Sequence, residues 1–323
     1  MSEFDLIRRL RQIICAGPLA GRRPCVIGPG DDAAVLAVPP DRQLVVTTDT
    51  LVEGVHFRPQ TPASDLGHKA LAVNLSDLAA MGADPAWFFL ALTLPAVDSD
   101  WLDSFATGMA RLAESAGIEL AGGDTTAGPL SITITALGLV EEGKALTRAG
   151  AREADLVVVS GVLGCAAFAC KDLDSGNSPN AAARRALDHP IPRLDLGRRL
   201  HGLATSCIDL SDGLLADLGH ILRASGKGAE IELGHLPGSA CLDDLEEAER
   251  LELQTAGGDD YELCFTIPPD RESELERIAN ESGTGLTVIG RITASQELLC
   301  KTRDGAVYRP PGRGYEHFTE GSQ

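Results

Sequence analysis

Aspartates recur in short polar turns along this chain of 323 residues. They stand in Gly28-Pro29-Gly30-Asp31-Asp32, Thr47-Thr48-Asp49, Leu75-Ser76-Asp77, Gly122-Gly123-Asp124, Asp209-Leu210-Ser211-Asp212 and Gly257-Gly258-Asp259-Asp260. Taken singly, each has a local reading: Asp in a glycine-rich turn bonds its own backbone, and Ser or Asp beside a helix caps it. Taken together, Asp32, Asp49, Asp77, Asp124, Asp209 and Asp212 are all expected at the end of an apolar strand or in the turn or helix after it. In open sheets those ends line one crevice where ligands bind. Hard oxygen donors with no nearby His-Cys cluster favour Mg²⁺ over zinc. Mg²⁺ keeps waters and shares its remaining positions with substrate phosphates, so the implied substrate is a nucleotide or a phosphate ester.

Other chemistries fit less well. Gly28-x-Gly30-x-x-Ala33 after an apolar run has dinucleotide-loop spacing, but Asp31 and Asp32 fill its variable positions and would repel a pyrophosphate. There is no G-x-x-x-x-G-K-[ST] loop, no H-R-D with a downstream D-F-G, and no G-x-S-x-G elbow. Eight cysteines are scattered with no C-x-x-C pair, which argues against a structural zinc site. Cys207 and Cys264 sit in apolar runs, where a reduced buried thiol is expected. His56, His189 and His201 lack metal-ligand spacing. His56 is the strongest candidate of the three because it follows the acidic Thr47–Asp49 segment.

The elements that must position these residues alternate. Phe4, Ile7, Leu10 and Ile14 predict an amphipathic N-terminal helix whose face of Arg8, Arg9 and Arg11 is solvated. Strands are predicted over 33–38, 44–48, 87–94, 118–121 and 132–140, with 122–126 as a loop. Ser64 is the expected cap of a helix ending near Gly82, and a helix over 101–116 should end at Gly117. Beyond a polar segment at 141–154, strands are predicted at 156–160, 206–210, 231–233, 263–267 and 287–290. Helices are predicted at 164–173, around Ala182 and Leu196, at 214–225, and, exposed, at 272–281. The tail from Pro310 reads as irregular. This alternation is α/β or α+β, and the length suits two domains, divided as 1–145 and 146–323.

The formal net charge is −19. Such a field repels nucleic acid and anionic membranes, so an anionic ligand would need local Arg, Lys, helix N-termini or metal ions. The N-terminus lacks an apolar signal core, and the longest apolar run, 86–94, is far short of the ~20 residues that span a bilayer. The expected compartment is the cytoplasm.

Six runs, in order over nearly the whole chain, resemble one family. They are residues 28–33 (Gly-Pro-Gly-Asp-Asp-Ala), 47–57 (Thr-Thr-Asp-Thr-Leu-Val-Glu-Gly-Val-His-Phe), 69–83 (Lys-Ala-Leu-Ala-Val-Asn-Leu-Ser-Asp-Leu-Ala-Ala-Met-Gly-Ala), 122–126 (Gly-Gly-Asp-Thr-Thr), 209–214 (Asp-Leu-Ser-Asp-Gly-Leu) and 260–263 (Asp-Tyr-Glu-Leu). They are similar to the thiamine-monophosphate kinases, within the superfamily of aminoimidazole-ribonucleotide synthetase and selenophosphate synthetase. The resemblance implies an N-terminal mixed-sheet domain that pairs in a homodimer, a C-terminal α/β domain, and ATP in a cleft between them. It implies ATP-dependent phosphorylation of thiamine monophosphate to thiamine diphosphate, the last step in making that cofactor, by direct in-line transfer assisted by several Mg²⁺ ions.

By the same resemblance Asp32, Thr47, Thr48, Asp49, Asp77, Asp124, Asp209 and Asp212 correspond to magnesium ligands. Gly123, Asp124, Arg148 and Ser211 correspond to nucleotide contacts, and His56, Asp259 and Tyr315 to the thiamine-phosphate site. Asp259 departs from the family pattern, which has Glu there, and the shorter side chain puts direct contact with the aminopyrimidine in question. Two rival readings belong beside this one: a superfamily ligase or synthetase activating an amide or selenide with ATP, and a nucleotide- or metal-binding regulatory module without turnover. A selenophosphate synthetase should carry a reactive Cys and Lys near its N-terminal glycine loop, and Cys15 and Cys25 lack that context.

Overall fold

The computed structural model describes residues 3–16, 25–309 and 314. Tyr315, assigned above to the substrate site, lies outside the described residues. The chain divides into two compact units, Met1–Leu78 with Ala83–Ala145, and Ala79–Gly82 with Leu146–Gln323.

The first unit runs α1 (Glu3–Ile14), β1 (Arg42–Val52), α2 (Ala63–Ala80), β2 (Asp84–Leu94), α3 (Ser99–Ala116), β3 (Glu119–Ala127) and β4 (Ser131–Glu141). Its sheet has the order β1-β4-β2-β3. β4 is antiparallel to both β1 and β2, and β2 and β3 are parallel. Period-two alternation puts Ile132, Ile134 and Ala136 of β4 in the core. Of the predicted α1 stripe Leu10 and Ile14 are buried and Ile7 is half-buried, and Leu6, outside that stripe, is buried with them. The basic face is not wholly solvated, because the Arg9 guanidinium forks onto both carboxylate oxygens of Asp103 in α3. α3 starts where Asp98 accepts the backbone N–H groups of Asp100 and Trp101, and ends at Gly117 in the left-handed region, as its sequence predicts.

Three local expectations fail here. Residues 33–38 form no strand. They make only a bridge between Ile27 and Val35, because the Pro39-Pro40 break and the Gly28–Gly30 turn leave too short a run to pair. Ser64 does not cap α2: the carbonyl of Pro62 accepts the first helical amides, from Asp65 and Leu66, and the Ser64 hydroxyl turns to the Asp65 carboxylate. Residues 122–126 are not a loop but the middle of β3, carried through the two glycines by pairing with β2. Asp49 and Asp124 therefore sit within strands rather than at their ends, and the strand-end crevice does not account for them.

The second unit runs β5 (Leu156–Ser160), α4 (Cys165–Asp174), α5 (Ala181–Asp188), α6 (Leu194–Arg199), β6 (Ser206–Asp209), α7 (Leu214–Ser225), β7 (Gly228–Glu232), α8 (Glu247–Ala256), β8 (Leu263–Ile267), α9 (Glu274–Ser282), β9 (Leu286–Thr293), β10 (Leu298–Lys301) and β11 (Val307–Tyr308). Its sheet is ordered β11-β10-β7-β9-β5-β8-β6. Only β7 and β10 are parallel neighbours. Alternation splits the strand residues between two cores. Val157, Val159, Ile208 and Ile231 pack with Leu214, Leu218 and Ile221 of α7, whereas Val158, Cys207 and Phe265 pack with Leu196 of α6 and Leu275 and Ile278 of α9. The helix expected to be exposed at 272–281 is thus α9 with a buried stripe. Nothing in the sequence reading anticipated α8, β10 or β11.

Cys207 and Cys264 are free buried thiols, as their apolar context suggests, and burial pushes both upward in pKa. Cys165 and Cys241 form a disulfide, which their wide separation in the chain did not reveal. Among the described residues no helix is long and apolar enough to cross a membrane.

α2 and α3 meet through glycines inside helices. A Cβ on Gly67 would stand 2.1 Å from the Phe105 carbonyl oxygen, and one on Gly108 would stand 1.8 Å from that of Ser64. Glycine costs helix stability, so the close backbone approach is what requires it. Gly108→Ala should therefore lower unfolding free energy by about 3 kcal/mol despite the better helix propensity of alanine. Denaturant melts check this, and an unchanged midpoint would contradict the crossing.

Candidate active site

In the first unit, β1 and α2 form an acidic seam. Residues 47 and 49 share one face of β1 by strand period, and 74 and 77 share one face of α2 by helical spacing. The Thr47 hydroxyl donates to Asp77 Oδ2. The Asp49 amide donates to Asn74 Oδ1 at 3.1 Å. Asn74 is fully buried, and its own amide nitrogen is anchored to the Ala70 carbonyl at 3.2 Å. Asp49 and Asp77 are thus brought to one place by a helix-to-strand clasp.

The remaining first-unit candidates lie elsewhere. The Thr48 hydroxyl is on the opposite face of β1, paired with Thr135 at 2.9 Å. Asp124 is in register with Ala91, Thr133 and Thr50 across the sheet, on the same face as Thr48 and exposed. β1 and β3 are the two edges, so three strand spacings, about 14 Å, separate them. Gly123 lets β3 pass, since a Cβ there would lie 1.9 Å from the Leu90 carbonyl oxygen at a φ of +156°. Asp32 is exposed in its turn, where its amide donates to Asp31 Oδ1 at 2.9 Å. His56 Nδ1 accepts the Val52 amide at 3.0 Å, so one ring nitrogen stabilises the turn after β1.

In the second unit, two loops clasp each other. Asp209 ends β6 and is buried. The amide of Asp259 donates to the Ser211 carbonyl, that of Tyr261 to the Leu210 carbonyl, and that of Leu210 to the Glu262 carbonyl, each at 2.8 Å. The contact is close enough to require glycine, since a Cβ on Gly258 would be 2.5 Å from the Ser211 carbonyl oxygen. Asp259 and Tyr261 both take positive φ, +67° and +49°, which costs backbone energy and marks a shape fixed by its surroundings. The Tyr261 hydroxyl donates to Asp259 Oδ1 at 2.9 Å, which orients that carboxylate. Gly314 also lies against this loop: a Cβ there would be 2.7 Å from the Asp212 carbonyl oxygen.

Deeper carboxylates brace these loops. Asp217 Oδ2 accepts the amides of Ser211, Asp212 and Gly213 at 3.1, 3.0 and 3.1 Å. Burial pushes the Asp217 carboxyl up to about 7, and those amides pull the other way. Asp260 accepts the Gly164 amide at 2.9 Å, and burial holds its carboxyl well above the ordinary range. Glu262 takes a fork from Arg193, whose Nε lies 2.7 Å from Oε2. His220 is lowered in pKa, first by burial and then by Arg223 and Arg148, while Asp212 opposes the shift. Arg148 is itself exposed, and its charge reaches the His220 imidazole, as does that of Asp212.

Among the described residues no group of three or more His, Cys, Asp or Glu is close enough to hold a metal by itself. The donors are carboxylates and hydroxyls in small separate sets. That chemistry fits Mg²⁺, which completes its shell with water and substrate oxygens instead of an all-protein cage.

Comparison with known proteins narrows the choice. The family described as AIR synthase related protein matches as its N-terminal domain over residues 30–140 and as its C-terminal domain over residues 153–301. A thiamine-monophosphate kinase of Escherichia coli is 45% identical over 324 residues, covering 98% of each chain. The crystal structure of a thiamine-monophosphate kinase from Stenotrophomonas maltophilia is 44% identical with a TM-score of 0.86, covering 95% of this chain and 98% of that one. The structure of AaThiL complexed with AMPPCP and TMP is 29% identical with a TM-score of 0.76, covering 98% of this chain and 97% of that one.

Asn74, Asp217, Tyr261 and His220 escaped the sequence reading. Asn74 had a signal, since it stands one helical turn before Asp77 just as Thr47 stands one strand period before Asp49. Asn74→Ala would leave the Asp49 amide without this acceptor and should destabilise the fold by about 2 kcal/mol. Equilibrium unfolding measures this, and wild-type stability would show that the clasp contributes nothing.

Proposed function

The chain belongs to the thiamine-monophosphate kinase family, and we propose that it transfers the γ-phosphate of ATP to thiamine monophosphate, giving ADP and thiamine diphosphate. One observation carries the reading: near-full-length identity to such kinases, joined to a relative complexed with AMPPCP and TMP.

The nucleophile in this reaction is a phosphate oxygen. A phosphomonoester has its second pKa near ~6 and is largely dianionic at neutral pH, so no protein group need remove a proton. The obstacle is repulsion between two polyanions, and Mg²⁺, when bound, supplies charge neutralisation and alignment for in-line transfer. In this reading Asp32, Thr47, Thr48, Asp49, Asp77, Asp124, Asp209 and Asp212 supply its protein ligands, Thr48 through its main-chain carbonyl. Their division into small sets suits several ions sharing phosphates. Arg148 adds a cation toward the nucleotide phosphates, with Gly123, Asp124 and Ser211 as further nucleotide contacts. His56, Asp259 and Tyr315 orient the thiamine moiety. Asp259, one methylene shorter than Glu, reaches the aminopyrimidine through a bridging water, and Tyr315 stacks on a heterocycle.

A homodimer belongs to the same proposal. Leu44 and Val46 are exposed on edge strand β1, an apolar surface suited to burial against a second copy. A cytoplasmic location also belongs to it, and in a reducing compartment the Cys165–Cys241 pair would open.

Purified protein with ATP and thiamine monophosphate should form thiamine diphosphate only when Mg²⁺ is present. No product under any metal condition would sink the assignment. Asp49→Ala and Asp212→Ala should each lose about 100-fold or more in turnover with the fold retained, and a wild-type rate in either removes that residue from the ligand set. Asp259→Glu should shift KM for thiamine monophosphate more than KM for ATP, while equal shifts would argue against a substrate-side role. Val46→Glu should convert a dimer to monomer in sedimentation, and an unchanged mass would move the interface elsewhere.

A further inference from the structure

Three successive backbone amides pointing at one place form a nest, the arrangement by which many proteins bind phosphate directly. Ser211, Asp212 and Gly213 make such a nest at the start of α7. It is filled from within: Asp217 Oδ2 receives the three amides at 3.1, 3.0 and 3.1 Å. The Asp217 side chain is buried. It belongs to α7, one helical turn beyond Gly213, so it is carried by the helix that this loop enters. From the other side the Ser211 carbonyl is taken by the Asp259 amide at 2.8 Å.

We propose that Asp217 is a positioning residue that occupies the amide nest of residues 211–213 and so makes phosphate binding at this loop depend on a divalent cation. With these three amides turned inward onto a fixed carboxylate, residues 211–213 offer an incoming phosphate none of their own backbone donors. What the loop carries is the half-buried Asp212, with the buried Asp209 just before it, and a phosphate meets such carboxylates only across a cation. Asp217 therefore sets the geometry of the ligand-bearing loop and also excludes the competing, metal-free way of binding an anion there. The inference rests on the kinase reading for the identity of the ligand, a nucleoside triphosphate.

Calorimetric titration of the full chain with a non-hydrolysable ATP analogue, with Mg²⁺ and with chelator, tests it. In the wild type, Mg²⁺ should tighten binding strongly. In Asp217→Ala the nest is vacated. Affinity with Mg²⁺ should fall about tenfold, as expected for losing charge-assisted hydrogen bonds, and affinity in chelator should hold or improve. A merely structural defect would weaken both arms alike and leave their ratio unchanged, and an unchanged ratio overturns the proposal. Asp217→Asn keeps an acceptor in the nest without the charge and should largely restore the ratio.

Should the alanine variant not fold, amide exchange in Asp217→Asn decides the question. Exchange at residues 211–213 should quicken about tenfold relative to the wild type, and unaltered protection there overturns the role. The two levels of the account separate cleanly. Failure of the wild type to bind the analogue brings down the kinase reading and this inference together. If Asp212→Ala loses Mg²⁺-dependent binding while Asp217→Ala keeps the wild-type ratio, only the inference falls.

Discussion

Under the proposed function the carboxylates share cations; like charges repel one another until cations arrive, so the fold must hold them meanwhile. In a chain of net charge −19 this repulsion has no general counterweight. The protein answers with hydrogen bonds between distant segments. Asn74 holds the strand at Asp49, Thr47 holds the Asp77 carboxylate, and the amides of 259 and 261 hold the loop that bears Asp212. Each clasp joins segments far apart in sequence, so the acidic segments are held by the fold rather than by local turns. Glycine serves the same close approach: Gly258 stands where a side chain would force apart the two clasped loops, and Gly123 where one would push β3 from β2.

The chemistry imposes the complementary demand. A phosphate acceptor brings its own nucleophile, so the protein has charge to manage and no proton to remove. That accounts for many carboxylates in separate small sets. The unusual carboxyls are consistent with it. Asp217 and Asp260 are raised by burial, yet both face inward onto backbone amides and shape loops. They are braces, while Asp212 is half-buried and Asp124 exposed, open to the ligand role proposed for them.

Much of this was legible in residues and spacing. The α1 stripe, the Gly117 cap, the helix after Gly213 and the strands at 156–160 and 263–267 each follow from local periodicity, which the packing respects. What escaped depends on partners distant in sequence. Residues 122–126 carry two glycines and read as a loop until β2 lies beside them. Thr48 and Asp49 are neighbours in the chain but face opposite sides of β1, a division fixed by pairing with β4. Asp217 is the local exception: its three amide partners lie only a few residues back, yet it looks like an ordinary helix residue until the loop closes on it. The long aspartate-bearing runs identify the family more readily than their geometry, since chemistry restricts residue type while clasps can be built many ways.

The central claim is that these acidic loops hold divalent cations together with a nucleotide. Titration with Mn²⁺ in place of Mg²⁺, followed by electron paramagnetic resonance beside a non-hydrolysable ATP analogue, tests it most directly. The account predicts that the protein immobilises more Mn²⁺ than the nucleotide does alone, and that Asp49→Ala and Asp212→Ala each reduce the excess. Equal Mn²⁺ binding with and without the protein would contradict it.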